Sequence, residues 1–313
     1  MVDGKMPGMR WPQPGLGLNR SLHATLLAIL TLVALLLAAC GGTPTTTPDS
    51  SPSMAAPATS TAAGASPVAA APTIDGTVTV FAAASLTDAF NEMGKALETA
   101  NPGTKLAFNF AGSQKLRTQL QQGAKADVFA SADEKQMQGA QEDGTIAGDP
   151  KIFVHNKLVV IVPAQNKAGI NDLKDLTKPG IKLILAQKDV PVGNYSRQSF
   201  DKLSQDPAYG SDFATKVLAN LVSEETNVKS VVSKVQLGEA DAGIVYSSDV
   251  TPSVRDAVKI IDIPDQFNVL ANYPIATVKD GQNASGGKAF IDYVLSPAGQ
   301  ETLKKWGFIP VSG

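Results

Sequence analysis

The sequence predicts an α/β protein with two doubly wound lobes on either side of a central cleft. Three observations predict it. Short β-branched runs alternate with segments of helical period from Thr77 onward, and the alternation restarts after Asn156. The chain is also long enough for two medium-sized lobes, with 313 residues, 43% of them apolar and 18% charged.

Thr77-Val-Thr-Val-Phe81 reads as a buried strand. Leu86, Ala89, Phe90, Met93 and Leu97 then fall on one face of an amphipathic helix. Leu106, Phe108 and Phe110 alternate as a strand, and Leu116 and Leu120 sit one turn apart on a second helix. Asp127-Val-Phe-Ala130 is a third strand, followed by a polar helix from Asp133 to Gln141. This βαβαβα order predicts a parallel sheet covered on both faces. In the second half, residues 158–162 and 181–186 read as strands around a short helix bearing Leu173 and Leu176. A helix follows from Tyr195 to Leu203. Val228, Val231, Val232 and Val235 mark one helix face, and strands follow at 242–246 and 258–261. Residues 273–278 then cross back, leading to helices at 288–295 and 297–306, the second opened by Ser296-Pro297 and stopped by Gly307. Residues 74–155 with 274–313 are expected to form lobe 1, and 156–273 lobe 2.

The first 39 residues read as an export signal. Arg10, Arg20 and His23 precede a predominantly apolar run at 26–37, which ends in Leu37-Ala-Ala-Cys40-Gly41. The run is shorter than the roughly 20 residues that cross a bilayer. Cys40 is the only cysteine, so it has no partner within the chain. Leu-Ala-Ala-Cys resembles the lipobox of bacterial lipoproteins, which implies acylation of Cys40 and export to the outer face of the cell membrane or the periplasm. Residues 43–72 are mostly Thr, Pro, Ser and Ala with almost no charge, the composition of a disordered tether, so 40–73 is expected to be the acylated cysteine and its tether. The formal charge is −2. The chain beyond the signal is more acidic, because Lys5, Arg10 and Arg20 leave with only Asp3. That balance gives no electrostatic reason to bind nucleic acid.

Candidate function lies where strands run into helices, because parallel sheets gather such junctions at one end. Ser85, with Asp88 three residues on, reads as the N-cap of the first helix; Ser113, after Gly112, reads as the cap of the second. Asp189-Val-Pro-Val192-Gly-Asn offers backbone N–H groups at a helix start, and Val228 offers another. Tyr246 ends a buried strand with its hydroxyl at the sheet edge. Each has an ordinary structural role as cap or core. Together, five neutral donors from both lobes could converge on one anion.

On these residues the chain resembles the periplasmic molybdate-binding proteins of ABC transporters, within the type II solute-binding fold. The blocks that carry the resemblance are Val80-Phe-Ala-Ala-Ala-Ser85-Leu-Thr-Asp-Ala89, Gly123-Ala-Lys-Ala-Asp127-Val-Phe-Ala-Ser-Ala-Asp133, Val190-Pro-Val-Gly-Asn-Tyr195 and Ala240-Asp-Ala-Gly-Ile-Val-Tyr246. The resemblance implies molybdate or tungstate as ligand, held by Ser85, Ser113, Val192, Val228 and Tyr246 with no direct protein ligand to the metal. It also implies an ABC permease and ATPase as partners of a monomeric binder without cofactor. Gly-Ser-Gln-Lys in the second loop departs from the family's serine run. Glu224 and Glu225, just before the Val228 helix, are expected to face solvent.

An all-donor shell suits a fully deprotonated dianion and leaves the proton of a protonated phosphate without an acceptor. Sulfate, of the same shape and charge, is the alternative ligand. An enzyme is disfavoured: His155 is the only histidine beyond the signal, and no Gly-x-Ser-x-Gly elbow is present. One histidine and one cysteine also make no zinc site.

Overall fold

A computed structural model describes residues 74–311; the signal segment 1–39, Cys40 and the tether to residue 73 lie outside the described residues. In chain order the elements are β1 (Gly76–Ala83), α1 (Thr87–Ala100), β2 (Thr104–Ala111), α2 (Ser113–Gln121), β3 (Val128–Ala130), α3 (Glu134–Glu142) and β4 (Ile146–Asn156). The second set is β5 (Leu158–Pro163), β6 (Leu183–Ala186), α4 (Pro191–Gln205), α5 (Phe213–Ala219), β7 (Leu221–Glu225), α6 (Val228–Gln236), β8 (Ala242–Tyr246), α7 (Pro252–Arg255) and β9 (Val258–Asp262). The chain then returns through β10 (Ala271–Val278), α8 (Ala284–Leu295), α9 (Pro297–Lys305) and β11 (Ile309–Pro310).

Two sheets result, ordered β11-β4-β10-β3-β1-β2 and β7-β6-β8-β5-β9. The chain leaves the first sheet after Asn156 and re-enters it at Ala271. We therefore assign 74–156 and 271–311 to lobe 1 and 157–270 to lobe 2. These limits lie one residue later and three residues earlier than the sequence pattern suggests. Neither sheet is purely parallel. β1 pairs with β2 and β3 in parallel, as expected, but β10 is antiparallel to both β3 and β4. In lobe 2, β5 runs antiparallel to β8 and β9. The returning strand causes this in lobe 1, since it enters from the other lobe rather than through a crossover helix.

Each lobe has its own aromatic packing. Phe90 meets Phe290 edge-on at 5.3 Å in lobe 1, and Tyr209 meets Phe213 and Phe267 at 5.3 Å each in lobe 2. The valine face of α6 is buried, as its period predicts, and an added Cβ at Gly243 of β8 would meet Val231 at 2.7 Å. Asp127 ties lobe 1 together: its carboxylate accepts from Thr79 N (2.7 Å) and Asn283 N (2.5 Å), joining the starts of β1, β3 and α8. The glycine-rich stretch 281–288 thus packs against a carboxylate.

Candidate functional site

Between the lobes lies a small cavity. Strand ends and helix starts line it: residues 83–85, 111–113 and 132 from lobe 1, and 190–192, 228 and 246 from lobe 2. Ser85, Ser113, Val192, Val228 and Tyr246, all singled out from the sequence, are brought together here. The described lining contains only Ala, Gly, Ser, Pro, Val and Tyr, with no charged side chain. Three helices, α2, α4 and α6, begin at it, each with first-turn N–H groups that have no intrahelical acceptor and a partial positive charge.

The two serines do not cap helices. Ser85 lies inside a 3-10 turn, Ala84–Leu86, and α1 starts at Thr87 without a side-chain cap. Thr87 Oγ1 donates to Ala84 O (2.7 Å), tightening that turn and delaying the helix. Asp88, instead of completing a capping box, reaches across to Lys229 of lobe 2 (2.8 Å). Ser113 is the first residue of α2 rather than its cap, and its Oγ accepts from Ala132 N (3.0 Å). Gly112, the N-cap, has ordinary extended geometry at φ −61. It is small because an added Cβ would stand 2.5 Å from Thr226 O of the opposite lobe.

Hydrogen-bond direction can be followed outward from the buried side. Asn156 Oδ1 accepts from Lys157 N (3.0 Å) and Ser247 Oγ (3.0 Å), which fixes its Nδ2 as the donor to Ser248 Oγ (2.8 Å) and Tyr273 OH (3.4 Å). Tyr273, fully buried, shares a hydrogen bond with Ser85 Oγ at 2.9 Å in which either hydroxyl can donate. Ser113 therefore receives a hydrogen bond from behind and keeps its proton for the cavity, while Ser85 is held by Tyr273 and can turn its proton either way.

Tyr246 is 1% exposed, and its hydroxyl has no hydrogen-bond partner among the described residues. Burial, with Tyr273, Tyr195 and Asp133 adding to it, raises its pKa well above the ordinary phenol value. It remains a protonated donor at physiological pH. Tyr273 is raised well above that value too, chiefly by burial.

Charges stand behind the lining. Asp133 caps α3, its Oδ1 accepting from Gln136 N (2.9 Å), and burial pushes its pKa up to about 6. Asp249 is fully buried; its pKa is likewise raised to about 6 by burial, against the pull of Lys229. Glu224 and Glu225 are ion-paired rather than simply solvent-facing. Glu224 meets Arg197 and Glu225 meets Lys234, each at 2.5 Å, and the Glu225 side chain is only 13% exposed. His155 lies outside the cavity, its Nδ1 at 2.8 Å from Asn272 Oδ1. Among the described residues no group of His, Cys, Asp and Glu is arranged to hold a metal ion.

Sequence reasoning missed Ala132, Tyr273 and Asn156. Ala132 had a signal, since it follows β3 at the same strand-to-helix position as the two serines. Tyr273 and Asn156 had none, because their link to Ser85 depends on long-range packing.

The chain matches, over residues 78–309, the family model of bacterial extracellular solute-binding proteins. It is 40% identical to the molybdate-binding protein ModA of Mycobacterium tuberculosis, over 74% of this chain and 84% of that one. It is 35% identical to the molybdate-binding protein ModA of Haemophilus influenzae, over 74% and 89%. Among solved structures, the periplasmic molybdate-binding protein of Azotobacter vinelandii aligns with a TM-score of 0.65 and 18% identity, over 75% of this chain and all of that one, a likeness of fold. The chain therefore belongs to the bacterial extracellular solute-binding proteins, a family of binders rather than of enzymes, and within them it is of the ModA type.

Proposed function

We propose that this protein captures molybdate, and tungstate with it, in the cavity between its lobes and delivers it to an ABC permease and its ATPase. The Ser85, Ser113 and Tyr246 hydroxyls and the N–H groups of Val192 and Val228 are its donors. The observation that carries this reading is the buried Tyr246 hydroxyl, without a partner among the described residues, on a cavity whose other polar groups are serine hydroxyls and helix amides. Such a group is costly unless something accepts its hydrogen. A bare dianion supplies acceptors on every side, and the names of the ModA relatives support molybdate over sulfate. Neutral dipoles also hold an anion less firmly than paired arginines, which suits a carrier that must release. Cys40 is the proposed lipid anchor, and the protein acts as a monomer on the outer face of the membrane.

The test is calorimetric melting of the chain from residue 41 onward with molybdate, tungstate, sulfate or phosphate. A ligand at a hundred times its Kd adds about 2.7 kcal/mol, which for a domain of this size raises Tm by roughly 5–10 °C. Molybdate and tungstate should produce that shift and phosphate none; a shift with phosphate alone would overturn the reading. Membrane fractionation of the full chain carrying Cys40→Ser tests the anchor, and retention in the membrane fraction would contradict it.

A further inference from the structure

Of the ion pairs among the described residues, one joins the lobes: Lys229 Nζ lies 2.8 Å from Asp88 Oδ2. Its position is not casual. Lys229 follows Val228 at the start of α6, and Asp88 is the second residue of α1, three after Ser85. On the other side Lys229 stands 3.6 Å from Asp249 Oδ1, while Asp249 Oδ2 accepts from the backbone N–H of Tyr246 (3.1 Å). The chain Asp88–Lys229–Asp249–Tyr246 thus connects ligand-facing segments of both lobes.

We infer that Lys229 and Asp88 form a latch that slows release of the bound anion by holding the lobes closed. The inference rests on the proposed site and goes beyond it, since neither side chain lines the cavity. The latch is asymmetric. The Asp249 carboxylate is wholly buried, so moving Lys229 away would leave it an unpaired buried charge or require it to take up a proton, and either favours Lys229 where it stands. Lys229 therefore stays with lobe 2 whether the lobes are open or closed, and its side chain is already ordered when Asp88 arrives. An ordinary exposed pair gains little because two flexible chains must be fixed at once. Here only Asp88 is fixed, and the side chains are 37% exposed for Asp88 and 30% for Lys229. Other hydrogen bonds between the lobes are neutral, among them Gln114 Nε2 to Thr226 O and Gln136 Nε2 to Asp189 O, both at 3.1 Å, and Ser247 Oγ to Gly307 O at 3.2 Å. Closure brings Asp88 to a waiting cation, and opening must separate them. The latch therefore acts on the dissociation rate, where most affinity differences between related complexes arise.

Stopped-flow binding and chase measurements on the chain from residue 41 onward, with molybdate as the probe, test this. Asp88→Ala should leave the ligand-free Tm within about 2 °C, raise the release rate about three- to tenfold, and change the association rate less than about twofold. In a Lys229→Met background, Asp88→Ala should change release no further, while Lys229→Arg should keep release near the wild-type rate. Wild-type release from Asp88→Ala, or an equal effect of Asp88→Ala with and without Lys229, would overturn the latch while leaving the site intact. Failure of the wild-type protein to bind molybdate would overturn the site, and the latch with it.

Discussion

Replacing Tyr246 with Phe removes one oxygen and leaves the ring, which packs edge-on against Tyr273 at 5.7 Å. Two effects of opposite sign follow from the same atom. With the lobes closed and no anion bound, that oxygen is buried without a partner among the described residues, and a group in that state is destabilising by about 1–3 kcal/mol. Removing it should therefore raise the ligand-free Tm by roughly 3–8 °C. With the anion bound, the same hydroxyl donates to a charged acceptor, an interaction of about 1.5–3 kcal/mol, so its loss should weaken binding roughly ten- to a hundredfold. Scanning calorimetry without ligand and isothermal titration with molybdate read the two effects separately. A more stable protein that binds less well is the signature. Unchanged affinity, or a lower Tm without ligand, would refute the idea that this hydroxyl is held in reserve for the anion.

Three further changes probe the parts around it. Tyr273→Phe removes the hydroxyl that holds Ser85 from behind and accepts from Asn156; affinity should fall about three- to tenfold and ligand-free stability by about 1–2 kcal/mol, both read by the same calorimetry. Gly112→Ala places a methyl 2.5 Å from Thr226 O across the cleft, so it should prop the lobes apart and weaken molybdate binding more than tenfold, read by the same titration. Asp133→Asn tests the buried charge. Because burial raises the folded pKa from 3.8 to about 6, the folded protein binds more protons between those values. This carboxyl therefore stabilises most below about pH 4 and loses that contribution as pH rises through 6, by about 3 kcal/mol. Relative to Asp133→Asn, the wild type should lose Tm between pH 4 and 7, and parallel Tm–pH curves would contradict the assignment.

Much of this fold was legible where local pattern and burial agree. β1, α1, the valine face of α6 and β8 follow from spacing alone, because each buries one continuous apolar set. β4 was not legible, since Gly148-Asp-Pro150 in its middle reads as a turn. In the structure those residues form an irregularity between the pairs Ile275–Lys151 and Thr277–Ala147, where a proline is tolerated. β7 was missed because Leu221-Val-Ser-Glu-Glu lies at a sheet edge and hides only alternate residues partly. The five candidate residues could be found because each sits at a junction that parallel connections bring to one end of a sheet. Their directions could not. Ser85 looks like a cap until Tyr273, 188 residues away, is placed behind it, and no local pattern encodes that pairing. Asp88 and Lys229, 141 residues apart, are illegible for the same reason.

The most direct measurement is the crystal structure of the protein with molybdate bound. The account predicts one tetrahedral anion between the lobes, its oxygens within about 2.6–3.2 Å of the Ser85, Ser113 and Tyr246 hydroxyls and of amides at the starts of α4 and α6. An anion seated elsewhere, or held by a lysine, an arginine or a carboxylate bound to the metal, would contradict it.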